Sequence, residues 1–394
     1  MEKKFPLKYI IALVLTASAL TCLVLALILQ LNSSRPRSGN TQDYAELLYL
    51  IENRFIGSYD DKEITEAAMR AAVEALDDRW SYYMTPEEYA AYLESSDNRY
   101  SGIGVEVVVD ADTAGIRVVS VYRDSGADRA GIVAGDIITA IDGESIIGFT
   151  MDEMRSLLRR EIDATAILTV LRADGKTIEI TVVYSVVFTD PVSFDMINGN
   201  IGYIALKNFE SGASSGFISA AGELIDLGAD AFIFDVRSNN GGKVGEMTAI
   251  LDFLLPECEI FISVDRGGNE NITRSDSSEV KLPAVVLVNR YSYSGAEYFA
   301  AMLGEYGYAS IVGEQTTGKN RMQTTIPLSG GGALHISTGQ YLTKNRVSLY
   351  DTGGLTPDHP VPMSDDEMIL FRAGRLEKDI DPQLITALDL LSAA

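Results

Sequence analysis

Histidine occurs only 2 times in the 394 residues, as His335 and His359, and cysteine 2 times, as Cys22 and Cys258. Two histidines cannot build a His-rich metal centre and leave little for a histidine-based catalytic relay. His335 sits in the alternating run Ala333 to Ser337 and His359 between Asp358 and Pro360, so each reads as a strand or loop residue. The two cysteines are far apart in segments of different character; no disulfide framework can be read from them, and free thiols are expected. Positive charge is scarce as well, with 32 Lys and Arg against 56 Asp and Glu and a net charge of −24. That balance lacks the footprint needed to bind a phosphate backbone and excludes nucleic acid as a partner. What remains is globular in composition: 46% hydrophobic, 22% charged, with 34 Gly and 11 Pro, which excludes collagenous chains and bulk disorder. The length suggests two or three domains, and no internal repeat is visible.

From Tyr9 to Leu29 the chain carries no charged residue for 21 positions, close to the ~20 that a helix needs to cross a bilayer core. Lys3, Lys4 and Lys8 precede the run and Arg35 and Arg37 follow it, a slight bias that points the N-terminus to the cytoplasm. The run exceeds a signal-peptide h-region and no A-x-A-like site follows, so an uncleaved anchor is preferred to a cleaved signal. Cys22, preceded by Thr21 in mid-run, reads as membrane filler. The expectation is a cytoplasmic tail at 1–8, a single transmembrane anchor at 9–30 in the cell membrane, a polar linker at 31–41 and an extracytoplasmic remainder. That remainder is more acidic still and should stay soluble beside an anionic surface.

Apolar residues recur at helical spacing between 42 and 97, at Leu47, Leu48 and Ile51 and again at Ala68, Met69, Ala72, Val73 and Leu76, while Thr85 with Glu87 and Glu88 marks another helix start. These segments read as short amphipathic helices without chemistry. Residues 98–187 turn strand-like, with β-branched runs at Ile103–Val109, Ile116–Val121, Ile137–Ile141, Ala166–Leu171 and Thr177–Val183 and one helical pattern at Thr150–Arg160. Over 188–362 strands alternate with helices, predicting a layered α/β domain, and 363–394 reads as a helical tail.

Four short stretches could carry chemistry. Gly102-Ile103-Gly104-Val105 opens a strand with two glycines whose neighbouring N–H groups could meet an anion such as a peptide carboxylate, although a glycine in such a place is more often just a turn. Tyr293-Ser294-Gly295-Ala296-Glu297 follows an apolar strand and opens a helix; Ser294 with Glu297 makes a capping box, yet a nucleophile at that junction would have helix N–H groups beside it. A serine nucleophile needs a base. Lys319, in the glycine turn Gly313 to Lys319, could serve if burial drew its pKa from about 10.4 toward 7 to 8. Gln323, four positions on, would share a strand face with it and orient the amine. Finally, Asp235-Val236-Arg237-Ser238-Asn239-Asn240-Gly241-Gly242 ends a strand in a double glycine that would let a backbone N–H approach a reacting carbonyl. No G-x-x-x-x-G-K-[ST] phosphate loop is present.

Downstream of Gly102, the stretches Ser125 to Ile132 and Gly135 to Gly143 resemble a PDZ domain, a fold that captures peptide C-termini by strand addition. The order of that module, D-V-R-S-N-N-G-G, S-G-A-E and G-E-Q-T-T-G-K, with 25 positions between Ser294 and Lys319, resembles the carboxyl-terminal processing peptidases, or tail-specific proteases, over about Leu76 to Leu391. The resemblance implies a crotonase-like α/β serine protease core with an inserted PDZ domain and flanking helices. It makes Ser294 the nucleophile, Lys319 the general base, Gln323 the partner of the lysine, and Gly295 with Gly241 or Gly242 the oxyanion hole. Gly102, Ile103, Gly104 and Val105 would hold the carboxylate of a substrate's C-terminal tail, with no metal or organic cofactor. It likens Asp77 to Pro86 to a helical segment before the PDZ domain and the tail from Asp381 to Leu391 to a helix that in some members builds a homodimer. Departures are Y-S-Y-S-G-A-E for the family's S-A-S-A-S-E and T-G-K-N for F-G-K-G, which bear on the substrate pockets. The competing reading is a PDZ adaptor that binds peptides without cutting them.

Overall fold

The computed structural model describes residues 39–392 apart from 111–112, 114, 150–152, 155–156, 159 and 373. The expected cytoplasmic tail, the anchor and most of the linker lie outside the described residues, as does most of the helix expected at Thr150–Arg160. Among the described residues no helix is long and apolar enough to cross a membrane. The chain divides into two units, Met1–Ala68 and Met69–Ala394. Helix α1 (Gly39–Arg54) belongs to the first and exposes Leu47, Tyr49 and Leu50, while α2 (Asp61–Glu74) runs across the boundary.

The second unit departs at once from the helical expectation for Asp77 to Pro86. Tyr82–Met84 is a strand, β1, paired antiparallel with a strand near the other end of the chain, Tyr82 opposite His335. Tyr83 and Met84 are buried, and two aromatics in a half-buried triplet fit a pleated surface better than a helix end. Helix α3 (Pro86–Ser96) then starts where its sequence signal stood. Thr85 Oγ1 accepts from Glu88 N–H at 3.2 Å and Glu88 Oε2 accepts from Thr85 N–H at 2.8 Å, a closed capping box with proline in the first turn.

The β-rich module comprises β2 (Arg99–Gly102), β3 (Val105–Val109), β4 (Ile116–Val121), the short helix α4 (Gly126–Arg129), β5 (Ile137–Ile141), β6 (Glu144–Ser145), β7 (Thr165–Leu171), β8 (Thr177–Val183) and β9 (Ser185–Phe188). Its main sheet runs β3-β4-β5-β7-β8 with β6 on β5, every pair antiparallel. Along β7 the side chains of Ala166, Leu168 and Val170 point inward and meet Ile116, Ile138 and Val182 in one core, the period-2 alternation of a sheet with one covered face. Its two crossings to the rest of the chain are β2 and β9, paired from Arg99 opposite Phe188 to Gly102 opposite Ser185. At the base of this neck Asn98 O accepts from Thr189 N–H at 2.8 Å, and the Asn98 amide bonds Asn208 and Ser211 O.

The α/β domain follows as β10 (Val192–Ile197), β11 (Ile201–Leu206), α5 (Ala213–Asp226), β12 (Ala231–Asp235), α6 (Val244–Leu254), β13 (Glu259–Asp265), β14 (Glu270–Arg274), β15 (Ala284–Val288), α7 (Gly295–Glu305), β16 (Ala309–Gly313), β17 (Arg321–Pro327), β18 (Ala333–Leu342), β19 (His359–Pro360), α8 (Asp365–Arg372) and α9 (Pro382–Ser392). A six-stranded sheet, β10-β11-β12-β15-β16-β19, is parallel from β11 onward. Every residue of β12 and β15 is buried, as expected for central parallel strands covered on both faces. Phe217 and Phe299, from α5 and α7, meet Phe234 on one face; Leu384 and Ala387 of α9 cover Ile233, Val285 and Leu287 on the other. The sheet β1-β18-β13-β14, with β17 on β18, had no counterpart in the sequence reading. The carboxyl ends of β12, β15 and β16, three adjacent parallel strands, deliver the double-glycine loop, the serine and the lysine to one edge, where ligands bind in open α/β sheets.

Candidate active site

The five apolar residues of β15 lead through Asn289–Tyr293 into α7, and Ser294 stands at the junction with φ 60° and ψ −123°. A positive φ is uncommon for any residue but glycine and carries strain that the surroundings must hold. They do so through Glu297, which is fully buried. Its Oε1 accepts from the N–H of Ser294 at 3.0 Å and from the N–H of Lys319 at 2.6 Å; its Oε2 accepts from Thr316 Oγ1 at 2.6 Å and from the N–H of Gly318 at 2.9 Å. Burial pushes the Glu297 carboxyl upward and these four donors pull it back. One carboxylate oxygen therefore holds the backbone of the serine and of the lysine together.

Lys319 is 9% exposed. Its Nζ lies 4.4 Å from the centre of the Trp80 ring and 5.8 Å from that of Tyr293, and its carbonyl accepts from the Tyr341 hydroxyl. Desolvation is the main reason its pKa falls to about 8; Glu297 and Asp78 oppose the fall and Arg79 adds to it. Ser294 and Lys319 line the same cavity of about 1150 Å³, with no hydrogen bond between their side chains; such bonds are often long without a ligand and tighten when substrate arrives.

Beneath the serine the double glycine comes into contact. A Cβ on Gly241 (φ 85°) would lie 2.7 Å from Gly295 N and 3.0 Å from Ser294 Oγ, so only glycine fits. The Gly241 N–H is consumed by Asn239 Oδ1 at 2.8 Å. The N–H groups of Gly242 and Gly295 have no acceptor among the described residues, and both glycines line the cavity.

Gln323 also lines the cavity, but not as its spacing suggested. Lys319 precedes β17, and a bulge between Met322 and Gln323 breaks the alternation. The Gln323 amide donates to Ser337 Oγ at 3.1 Å and makes no hydrogen bond to Lys319. His335, read as a plain strand residue, lines the cavity too, with Nδ1 2.8 Å from Thr325 Oγ1; burial and the nearby lysine lower its pKa to about 4, leaving it neutral. Trp80, Tyr293 and Tyr341 were missed. Trp80 lies in the stretch expected to be helical and without chemistry, and its one available signal was that the chain has no other tryptophan.

In the β-rich module Gly104 adopts φ 84°, and a Cβ there would lie 2.1 Å from Ser125 Cβ. The carbonyls of Ile103 and Gly104 accept from Ala127 N–H at 2.7 Å and Tyr122 N–H at 3.0 Å, whereas their own N–H groups, in buried residues, find no acceptor among the described residues. Gly102 ends β2 and Val105 begins β3, so the four predicted residues form one turn between neck and module. Among the described residues no cluster of His, Cys, Asp or Glu could hold a metal ion.

A model of peptidase family S41 matches residues 200–361, and one of the PDZ domain matches residues 117–172, which leaves the 102–105 turn just outside it. The carboxy-terminal-processing protease of Bartonella bacilliformis is 30% identical over 324 residues, covering 80% of this chain and 73% of that protein. The carboxyl-terminal-processing proteases of Picosynechococcus and Synechocystis are 30% and 28% identical, covering 80% and 84% of this chain and 76% and 78% of their own lengths. A solved Bacteroides fragilis structure assigned to the S41 proteases has the same fold, with a TM-score of 0.59 at 18% identity over 86% of this chain and 92% of that one. With this degree of identity sustained along most of each relative, around a parallel sheet that gathers its loops at one edge, the chain belongs to the carboxyl-terminal-processing proteases, serine-type peptidases of family S41.

Proposed function

We propose that the chain is an endopeptidase in which Ser294 attacks the scissile carbonyl while neutral Lys319 removes its proton. The observation that carries this reading is the shared Glu297 oxygen, which fixes both backbones at one wall of the cavity. The tetrahedral oxyanion is received by the N–H groups of Gly295 and Gly242, the Gly241 N–H being spent on Asn239. Lys319 then returns the proton to the leaving amine, and water, deprotonated by the same lysine, releases the acyl group from Ser294. Gln323 steadies the amine once substrate excludes water, since its Oε1 accepts no bond among the described residues. No step calls on a metal or cofactor.

Substrate reaches the site by its C-terminal tail. The N–H groups of Ile103 and Gly104 receive the terminal carboxylate, β3 offers its edge to the tail, and the neck residues Asn98, Arg99 and Tyr100 line the same cavity as Ser294. Residues 9–30 anchor the enzyme in the cell membrane with its catalytic part outside the cytoplasm.

Ser294→Ala and Lys319→Ala should each abolish cleavage of an unstructured protein; fragment patterns equal to the parent's would end the dyad mechanism. Because the base acts only after losing its proton, kcat/KM should rise with pH through about 8, and a profile flat from pH 6 to 9 would remove Lys319 from that role. Glu297→Gln turns one acceptor oxygen into a donor facing two donors, at a cost of about 1–3 kcal/mol for each group left unsatisfied. It should lower both the melting temperature and kcat, the latter at least tenfold; unchanged kcat would show that the carboxylate does not hold the pair. A tail peptide with a free carboxylate should bind, by fluorescence polarisation, at least tenfold tighter than its C-terminal amide, and equal affinities would dismiss carboxylate capture. Full-length protein should sediment with membranes and the 39–394 chain should not; identical partitioning would argue against the anchor.

A further inference from the structure

Behind the double-glycine loop, on the sheet face covered by α9, lies a buried charge cluster that the proposed chemistry does not use. The Arg237 side chain is 2% exposed. Its Nε and Nη2 donate to Asp235 at 2.6 to 3.0 Å, its Nη1 pairs with Asp381 Oδ2 at 2.7 Å and donates to Gln383 Oε1 at 3.2 Å, and its guanidinium carbon sits 4.3 Å from the Phe371 ring centre. Asp381 divides its two oxygens between tasks: Oδ1 accepts from the N–H groups of Gln383 and Leu384 at the start of α9, and Oδ2 faces the guanidinium.

Arg237 is followed directly by Ser238, itself at φ 57°. From there hydrogen bonds tie the loop to the segment that leads into the serine: Ser238 N–H donates to Asn289 Oδ1 at 2.9 Å and Asn239 O receives the N–H of Tyr293, the residue before Ser294, at 3.1 Å, while Asn239 Oδ1 receives the Gly241 N–H within the loop. A buried guanidinium that loses one of two carboxylates keeps too few acceptors for its five donors and must seek water. Its movement would drag the residue that sets the course of the loop.

We infer that the C-terminal segment completes the active site from the far face of the sheet: Asp381, acting through Arg237, is a positioning residue for the loop Ser238–Gly242, and seating of α9 sets whether the Gly242 N–H faces the substrate. This rests on the reading of that N–H as an oxyanion donor.

Asp381→Asn in the full chain is the direct test, because asparagine still caps a helix but removes the charge from Arg237. Expected are a kcat at least tenfold lower, an unchanged KM, and an equal loss of affinity for a peptide boronate, whose tetrahedral adduct occupies the oxyanion site, with a melting temperature within a few degrees of the parent. Parental kcat and boronate affinity would overturn the inference. Should that variant not fold, Arg237→Lys, which cannot bridge two carboxylates, is measured in the same way; parental values there, or failure of both variants to fold, also overturn it, the pair then being general support. Ser294→Ala is run in parallel. Cleavage that survives in it rejects the reading of the serine itself, an outcome distinct from an active Asp381→Asn enzyme beside an inactive Ser294→Ala.

Discussion

A carboxylate withdrawn from water must find other donors, and Glu297 finds them in two segments that leave adjacent strands of the sheet. One is the junction of β15 with α7, which carries the serine; the other is the loop after β16, which carries the lysine. Desolvation raises the cost of leaving any acceptor site empty, so the four bonds act as a geometric restraint. The parallel sheet supplies the coarse juxtaposition by ending β12, β15 and β16 at one edge, and the carboxylate supplies the fine one.

The neighbourhood of that carboxylate is costly by design. Ser294 and Ser238 hold left-handed backbone, Gly241 leaves no space for a side chain, and Lys319 is shielded by aromatic rings and depressed to about 8. Each feature opposes stability locally. The packed surroundings compensate: Phe299 of α7 meets Phe209, Phe217 and Phe234 in tilted and edge-to-face contacts, and the sheet's central strands are buried along their whole length. Stability is thus concentrated in the framework and withheld from the edge that carries the proposed site.

Much of this was legible in the residues. Apolar runs and glycine punctuation marked five strands of the β-rich module close to their observed bounds, and the alternation of strands with helices in the central sheet, since local patterning and burial agree there; β2, β6 and β9 left no such mark. The serine, the lysine and the double glycine stand out by their order and spacing as family motifs, because each stretch alone reads as a helix cap, a loop residue or a turn. What escaped was long-range. Tyr82–Met84 becomes a strand only because β18 lies beside it, more than two hundred residues away. Trp80 reaches the lysine for the same reason, and Gln323 is turned by a bulge that spacing cannot foresee. Glu297 was visible as a helix cap, but its second duty depends on Thr316 to Lys319 folding back over it.

The paired neck of the β-rich module has a bearing on how such a chain is assembled. Since β2 and β9 run side by side and Thr189 already bonds Asn98 at their base, the chain leaves and rejoins the protease framework at practically one point. The framework sees the whole module as a single tight turn. A guest domain attached in this way can be gained, exchanged or lost in evolution without redrawing the path of its host.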